Sequence, residues 1–422
     1  MQEAGIRRFA LVARFVAAVA AVLLGQGLWA PPLLASALIA DGAAIAAKSG
    51  TTTFRLGLSG KANFTATALA NPYRIVVELP NIDFKLDDGA GTKGGGLIEK
   101  FRFGASAPGK SRIVLHLTGP AKIKRAEIVP RASGSPLAFE IELVATDSQH
   151  FTEVAATATP GEDAFPILTP PKPGEIDECK IRQLVVLDPG HGGIDSGAVS
   201  PKGTKEKDMV LAFALLLRDK LKSTGRYRVL MTRDTDIFIP LKQRVAFAAS
   251  NRACLFLSLH ADSADDRRYQ GVRGGTVYTR SDRASDEEAA RTALKENAAD
   301  EAAGMSVPSE EVDPVSNWLE ELWGQETAAH NTWLANILVP ELRRKTKMTR
   351  EPHRQAAFYV LKSPLTPSAL IELGFISNRQ DEQELKSETW RAQVASGIVA
   401  AIDRFFKERR ERPSDAWLPA EN

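Results

Sequence analysis

Hydrophobic and polar positions repeat differently in the two halves of the chain. Between about residues 51 and 144, short stretches such as 53–58, 73–79, 98–104, 112–117 and 139–143 alternate or run apolar, with Gly, Asn and Pro between them. Alternation over so few residues favours short strands rather than helices. We therefore predict a small all-β sandwich domain over residues 50–146.

Beyond residue 179 the pattern changes to apolar runs of strand length separated by longer stretches with helical periodicity. Helices are predicted at 207–222, 241–250, 327–344 and 380–404, and strands at 184–187, 228–231, 255–259, 275–279, 357–361 and 369–372. Strands that alternate with helices predict an α/β fold, a mostly parallel sheet flanked by helices. We assign this second domain to residues 179–408 and a loose tail to 409–422.

The remaining segments have compositions that do not build a core. Residues 147–178 turn polar and Pro-rich, ending in TPPKPGEIDE, and are predicted to be a linker. A basic start, an apolar run and a small-residue A-x-A site predict an export signal over residues 1–37, with an uncleaved membrane anchor as the alternative. No other segment is long and apolar enough to span a bilayer, so contact with the membrane is expected only through this signal.

Charge and cysteine content narrow the function classes only slightly. The chain carries 54 basic and 52 acidic residues, a formal charge of +2, so no broad attraction to nucleic acid is expected. An exported protein could pair its two cysteines, Cys179 and Cys254. A cysteine inside an apolar strand, as at Cys254, is also typical of a buried free thiol, and both alternatives stay open.

One motif in the β region imitates a nucleotide-binding loop. Residues 104–111, GASAPGKS, satisfy the phosphate-loop pattern GxxxxGK[ST]. Such a loop needs a helix after its last residue, so that backbone N–H groups face the phosphates. The residues that follow Ser111 read RIVLHL and alternate like a strand. We therefore predict a hairpin here and expect no nucleotide site.

Four residues near element ends suggest a catalytic metal site. His191 follows the apolar run LVVLDP, and His260 ends the run LFLSLH. Open α/β sheets place ligands and chemistry at the carboxyl ends of such strands. Glu206 and Glu372 add carboxylates near further element ends. Two His and one Glu with an open fourth position form a recurring catalytic zinc set, and a second Glu can carry the proton.

Each of these residues also has a simpler structural interpretation. Glu206 opens a helix, where a carboxylate offsets the amino-end dipole. Glu372 interrupts the apolar strand SALIELGF and needs a cation, a metal-bound water or strong donors, or else a buried salt bridge. Asp262 is expected to shape a turn or to accept a hydrogen bond from a ligand histidine. Arg244 is interpreted as a solvent-facing or helix-packing residue.

The motifs together resemble one enzyme family. LDPGHGGIDSGA, GTKEKD, TRDTD, LKQRVAFAASN, LSLHAD and TPSALIELGFISN occur in the order and approximate spacing of zinc-dependent N-acetylmuramoyl-L-alanine amidases, the cell-wall hydrolases, across about residues 180–406. The resemblance implies Zn²⁺ as cofactor, His191, Glu206 and His260 as its ligands, and Glu372 as the catalytic glutamate. The implied reaction is hydrolysis of the amide between N-acetylmuramic acid and L-alanine in peptidoglycan.

Two further resemblances concern location and control. The β region resembles the AMIN module of Gram-negative amidases, which implies a periplasmic enzyme directed to peptidoglycan or the division site, for cell-wall remodelling and daughter-cell separation. The insertion at residues 281–324 contains LKENAADEAAG, which looks like the regulatory helix that blocks the zinc of the division amidases. The resemblance implies Glu296 as the blocking carboxylate, with Glu301 as second candidate, and an EnvC-like or NlpD-like activator with a degenerate peptidase domain.

Two other function classes are compatible with the same residues. A zinc peptidase or deacetylase acting on the cell wall could use the same four side chains. A non-catalytic peptidoglycan-binding protein could use the β domain alone, with the second domain as a scaffold. The complete set of four candidate residues argues against that last class.

Overall fold

The computed structural model describes residues 37–87, 89–131, 133–149, 151–152, 179, 183–263, 271–305, 314–363 and 365–411, and for 314–326 it describes the backbone. The predicted export signal up to residue 36, the linker from 153 to 178 and the tail beyond 411 lie outside the described residues. In the part of the chain that is described, no helix is long and apolar enough to cross a membrane.

The amino-terminal region is an all-β sandwich of two sheets. One sheet has the order β5-β1-β2-β9-β8 and the other β3-β4-β7-β6. Alternate residues of the two sheets meet in one apolar core, which includes Phe54, Val77, Leu115 and Phe139. The strands are β1 (Leu38–Lys48), β2 (Thr51–Leu58), β3 (Thr65–Leu69), β4 (Arg74–Pro80), β5 (Ile82–Lys85), β6 (Ile98–Ala107), β7 (Lys110–Leu117), β8 (Ala121–Pro130) and β9 (Leu137–Ala145).

The sandwich begins earlier than the predicted boundary at residue 50. Strand β1 pairs with β2 antiparallel, from Ala40 opposite Leu58 to Lys48 opposite Thr51. Its sequence LIADGAAIAAK is rich in alanine and contains a glycine, both of which are depleted in strands. The hydrogen-bond ladder with β2, rather than local propensity, therefore determines this strand.

The phosphate-loop motif is part of a β-hairpin, as predicted. Strand β6 extends to Ala107, the chain turns at Pro108 and Gly109, and β7 begins at Lys110. Because a strand rather than a helix follows Ser111, the backbone N–H groups pair with neighbouring strands.

The second region has a six-stranded sheet of order β11-β10-β12-β15-β13-β14. All neighbouring pairs are parallel except β13 with β15, which confirms the predicted mostly parallel α/β fold. The strands are β10 (Leu184–Pro189), β11 (Arg228–Met231), β12 (Leu255–His260), β13 (Gly275–Arg280), β14 (Met348–Ala356) and β15 (Ser368–Glu372). The helices are α1 (Glu206–Ser223), α2 (Leu241–Ser250), α3 (Glu287–Asn297), α4 (Ala299–Ala302), α5 (Pro314–Arg343), α6 (Arg379–Lys386) and α7 (Glu388–Glu411).

Two element predictions in this region are wrong. The strand expected at residues 357–361 is instead a short 3₁₀ turn at Tyr359–Leu361, and β14 lies just before it. The sequence of β14, MTREPHRQA, is polar and contains Pro352, which suits its position at the edge of the sheet. The helix expected over 380–404 is two helices, α6 and α7, separated at Ser387.

Helices cover both faces of the six-stranded sheet. Helices α1, α5 and α7 pack on the face formed by Val185, Leu257 and Ile371. The opposite face contains Val186, Phe256 and Leu370 and packs with alanines of α2 and α3, namely Ala248, Ala289 and Ala293. Helix α3, which lies within the predicted insertion, is therefore part of the packed domain.

The two cysteines form a disulfide. Cys179 and Cys254 are 75 residues apart in sequence, and their Cα atoms are 5.4 Å apart. The bond connects the start of the α/β region to the residue that precedes β12. The pairing that the sequence left open is thus present in the structure.

Candidate metal centre

The ends of three neighbouring strands and the start of one helix bring the predicted site residues together. Strand β10 ends two residues before His191, and β12 ends at His260. Strand β15 ends at Glu372, which lies directly beside His260 in the parallel ladder. Glu206 is the first residue of α1. The parallel sheet therefore determines the spacing of the set.

Two histidines and two glutamates converge on one buried point. Glu206 Oε1 lies 3.2 Å from His191 Nε2 and 3.3 Å from His260 Nδ1. Glu296 Oε2, from helix α3, lies 3.2 Å from His191 Nε2 and 3.0 Å from His260 Nδ1. All four residues are at most 6% exposed.

These atoms have the spacing and chemistry of a metal site. Although buried, His191 Nε2, His260 Nδ1 and both carboxylate oxygens of Glu296 have no hydrogen-bond partner. Buried polar atoms without partners are costly unless an ion or proton joins them. A tetrahedral zinc ion with bonds of ~2.0–2.1 Å to nitrogen and oxygen separates its ligand atoms by ~3.3 Å. The residues present therefore fit zinc, and His191, Glu206 and His260 form one group that can hold a metal ion.

Asp195 orients the first histidine. Its Oδ2 lies 2.7 Å from His191 Nδ1, which assigns the ring proton to Nδ1 and directs the Nε2 lone pair into the site. Asp195 Oδ1 also accepts a hydrogen bond from Gly197 N. The sequence analysis missed this residue, although the spacing His-Gly-Gly-Ile-Asp contains it. A carboxylate four residues after a candidate ligand on a glycine-rich loop was the available signal.

The backbone fixes the carboxylate of Glu206. Ala198 N donates to Oε2 and Ala261 N donates to Oε1, both at 2.8 Å. Burial acts to raise the pKa of Glu206, but His191 and His260 outweigh it and hold the pKa well below its usual range. Glu206 is therefore an ionised ligand rather than a helix cap, since its side chain makes no capping hydrogen bond.

The carboxylates have the opposite effect on the histidines. Burial acts to lower the pKa of His260, but Glu296 and Glu206 raise it to about 10. The pKa of His191 is likewise raised well above its ordinary value, because Glu206, Asp195 and Glu296 outweigh burial. The site is strongly anionic, and this field attracts a cation.

Arg244 is not a solvent-facing or helix-packing residue, so that interpretation is wrong. It is 2% exposed and donates to the main-chain carbonyls of Pro189 at 2.8 Å and His191 at 2.7 Å, and to Asp188 Oδ1 at 2.9 Å. Arg233, equally buried, donates to the carbonyls of Pro189 and Gly190. The two guanidinium groups hold the loop in which His191 has a φ of 57°, a left-handed backbone that a non-glycine residue rarely adopts.

Glu372 lies at the edge of the ligand group. It is 1% exposed, its Oε2 accepts a hydrogen bond from Asp262 N at 2.7 Å, and its Oε1 has no hydrogen-bond partner. Burial and the nearby carboxylates of Asp262 and Glu206 raise its pKa well above the ordinary value. Glu372 can therefore hold a proton at a position close to His260 and Glu296.

Asp262 does not accept a hydrogen bond from a ligand histidine, contrary to expectation. Its carboxylate binds helix α3 instead, with Lys295 Nζ 2.6 Å from Oδ1 and Thr292 Oγ1 3.2 Å from Oδ2. Because Glu296 follows Lys295, this ion pair fixes the helix with Glu296 against the two histidines. Glu301, the second candidate, is not among the residues that contact the histidines.

Comparison with known proteins identifies the enzyme family. Residues 185–404 match the N-acetylmuramoyl-L-alanine amidase family. The chain belongs to this family. Residues 44–141 match the AMIN domain.

Individual amidases cover different parts of the chain. N-acetylmuramoyl-L-alanine amidase AmiC of Escherichia coli O6:H1 is 31% identical over 360 residues, which is 81% of this chain and 83% of the relative. Amidase AmiA of Escherichia coli K12 is 36% identical over 226 residues, 53% of this chain and 76% of the relative. Among solved structures, amidase AmiC2 of Nostoc punctiforme is 27% identical with a TM-score of 0.39, and the match covers 53% of this chain and 97% of that one.

Family membership makes the chain an enzyme of cell-wall hydrolysis. The all-β domain in front of the amidase domain agrees with the predicted order of the two modules. In this amidase, the predicted residues His191, Glu206, His260 and Glu372 lie within one buried group, and Glu296 joins them from the insertion.

Proposed function

We propose that His191, Glu206 and His260 hold a zinc ion and that the enzyme uses it to release stem peptides from peptidoglycan. The bond cleaved is the amide between N-acetylmuramic acid and L-alanine. The observation that carries this proposal is the convergence of Nε2, Oε1 and Nδ1 on one buried point, at separations of 3.2 and 3.3 Å. Imidazole and carboxylate are the donors that zinc accepts in hydrolytic sites.

Glu372 is the proton carrier in this proposal. When bound, zinc would polarise the lactyl carbonyl and lower the pKa of a water molecule towards neutrality. Glu372 Oε1, which has no hydrogen-bond partner, takes the proton of the attacking water. The same carboxyl group then gives that proton to the L-alanine nitrogen as the C–N bond breaks. An amide needs this step because an unprotonated amine is a poor leaving group.

Product analysis tests the reaction. Full-length protein is incubated with purified peptidoglycan and zinc, with and without a chelator, and the products are identified by mass spectrometry. We expect stem peptides with a free L-alanine amino end, and none after chelation. Cleavage within the peptide would indicate a zinc peptidase, and loss of acetyl groups a deacetylase. Zinc binding without any product would contradict the amidase assignment.

Substitution of Glu372 tests its role separately from that of the metal ligands. Glu372→Gln should retain zinc but lower the rate of hydrolysis by about 10²–10⁴-fold, since the proton carrier is removed and the ligands remain. Zinc content is measured by elemental analysis of the same samples. Glu388→Gln, an exposed position on α7, is the matched control and should leave both quantities unchanged. Loss of zinc from the Glu372 variant would contradict this role.

We also propose that Glu296 inhibits the enzyme by occupying the fourth ligand position. Its Oε2 lies 3.0 Å from His260 Nδ1 and 3.2 Å from His191 Nε2, and it is 3% exposed. Lys295 and Thr292 hold the helix in this position through Asp262. While α3 stays there, neither water nor substrate has access to the ligand atoms. The helix is a two-state element that a partner can bias.

Removal of the blocking carboxylate should activate the enzyme. Glu296→Ala, or deletion of residues 285–304, is expected to raise hydrolysis without an activator by about 5- to 150-fold, the usual range of such couplings. Glu287→Ala, an exposed glutamate on the same helix, is the control. Unchanged hydrolysis by folded Glu296→Ala protein would contradict the inhibitory role.

Location and activation complete the proposal. The protein is exported to the periplasm of a Gram-negative cell, its AMIN domain directs it to peptidoglycan or the division site, and an EnvC-like or NlpD-like activator displaces α3. The AMIN match and the contact of α3 with the site support this arrangement. Purified activator should stimulate the wild-type protein strongly and the Glu296→Ala variant little. Equal stimulation of both would separate activation from this helix.

A further inference from the structure

The outer face of the sheet β3-β4-β7-β6 does not face solvent. Val76 and Val114 point away from the core of the sandwich, because they alternate with core residues such as Val77 and Leu115, yet they are only 6% and 0% exposed. Together with Leu69 they form an apolar cluster with four residues of the amidase domain, Ile194, Phe238, Ala303 and Met305. This sheet is therefore covered on both faces.

Two arginines on the same face bind the end of the regulatory segment. Arg74, 1% exposed, donates from Nη1 to the carbonyls of Glu301 at 2.6 Å and Met305 at 3.2 Å. Arg112 donates from Nη1 to the carbonyl of Ala303 at 2.7 Å, while Glu78 holds its Nε. Carbonyls at and beyond the end of a helix have no partner within it, and these cations supply one.

The chain after α4 fits closely against this face. Gly304 has a φ of +76°, and a Cβ atom there would lie 2.6 Å from a methyl carbon of Val114 and 2.9 Å from one of Val76. No larger residue fits without displacing the segment.

The same sheet also contacts the loop that carries His191. Ile194 N donates to the carbonyl of Ala105 on β6, and Arg102 Nη1 lies 3.3 Å from Asp195 Oδ1. A Cβ atom on Gly104 would lie 2.5 Å from Gly193 C and Ile194 N. The first glycine of the phosphate-loop motif thus permits close approach of the two domains.

We propose that the latch face, defined as Leu69, Arg74, Val76, Arg112 and Val114, is a binding surface for the chain's own regulatory segment, residues 299–305. By holding that segment, the β domain keeps Glu296 over the metal site. This inference rests on the inhibitory role proposed for Glu296. It gives the AMIN domain a part in inhibition in addition to the targeting that its family suggests.

The position of Glu296 explains why this contact matters. Arg354 anchors the amino end of α3 through Glu288 at 2.6 Å, far along the helix from Glu296. Beyond Glu296, Asp300 accepts a hydrogen bond from Leu241 N, and the latch face binds the residues that follow. Release of the latch face therefore frees the end of the regulatory segment that is nearer to Glu296. A partner that moves the β domain would loosen the inhibitor without touching α3.

The test uses the full chain with Arg74→Ala and Arg112→Ala combined. We expect hydrolysis of peptidoglycan without activator to rise on the order of tenfold, and amide hydrogen exchange of residues 287–305 to accelerate. Arg125→Ala, an exposed arginine on the other sheet of the sandwich, should change neither quantity. Gly304→Ala disturbs the same contact from the regulatory segment and leaves the sandwich untouched, so the same result is expected if the double variant folds poorly.

Comparison with Glu296→Ala separates this inference from the proposal on which it rests. If both hold, the latch-face substitutions add nothing in the Glu296→Ala background. If Glu296→Ala activates the enzyme while the latch-face and Gly304 variants stay at the wild-type rate, inhibition stands and the latch is wrong. If Glu296→Ala has no effect, exchange decides: faster exchange at 287–305 in the latch-face variants retains the binding surface, and unchanged exchange overturns it.

Discussion

The His191 side chain depends on two different kinds of partner. Asp195 orients the ring, and Arg244 and Arg233 hold the backbone through its carbonyls. The ring contact sets the tautomer, whereas the backbone contacts set where the ring starts. Both must hold for Nε2 to face Glu206.

Asp195→Asn should therefore weaken metal binding. An amide nitrogen beside Nδ1 would favour the tautomer with its proton on Nε2, which cannot then bind metal, and loss of such a partner costs about 10- to 100-fold in affinity. Zinc affinity is measured by competition with a chromophoric chelator. Asp219→Asn, an exposed aspartate on α1, serves as control. Equal affinities of the Asp195 variant and the wild type would show that the backbone alone positions His191.

Residue-level prediction from sequence succeeded where a residue type was unusual for its position. His191, His260 and Glu372 stand out because polar groups end apolar strands. Arg244 and Asp262 did not stand out, since an arginine in a helix and an aspartate after a strand have many ordinary uses. Their roles depend on which backbone carbonyls and which lysine the fold brings to them, and that information is tertiary.

At the scale of elements, helix α6 holds the turn that leads into Glu206. Glu382 Oε1 accepts hydrogen bonds from Ser200 Oγ at 2.9 Å and Thr204 Oγ1 at 2.6 Å, and pairs with Lys386 Nζ at 2.9 Å. Burial acts to raise the pKa of Glu382, but these donors lower it to about 2. The charged form thus stabilises the folded state.

Replacement of this carboxylate should make stability less dependent on pH. The folded pKa lies below the ordinary value, so the stabilisation is complete above about pH 4.5 and is lost as the pH falls towards 2. At pH 7, Glu382→Gln is expected to lower the free energy of unfolding by about 2 kcal/mol. Urea unfolding at pH 7 and pH 3 should show a smaller difference from wild type at pH 3. A difference that is constant with pH, or equal to that of Glu388→Gln, would contradict this account.

Elements were predictable where their own sequence carried the pattern. The bounds of β11 and α2 are as predicted, and β12 and β15 differ by one residue at one end. Strands β1 and β14 were missed because alanine-rich or polar edge strands owe their conformation to the neighbouring strand. Local composition does not contain that neighbour.

For the whole molecule, the disulfide is a link between distant parts of the chain. It closes a loop of 75 residues that includes β10, α1, β11 and α2. Reduction should lower the free energy of unfolding by about 2–5 kcal/mol. Denaturant unfolding with and without reductant measures this change, and Cys179→Ala combined with Cys254→Ala should be insensitive to reductant. An equal effect of reductant on both proteins would exclude the disulfide as the cause.

The doubly covered sheet of the β domain also affects how that domain behaves when separated from the rest. A fragment that ends at residue 152 would expose Leu69, Val76 and Val114, which are 9%, 6% and 0% exposed in the whole chain. Exposed apolar patches promote association. Such a fragment should be less soluble than the full protein and should self-associate with rising concentration, which sedimentation would detect. Substitution of Val76 and Val114 by Ser should restore a soluble monomer.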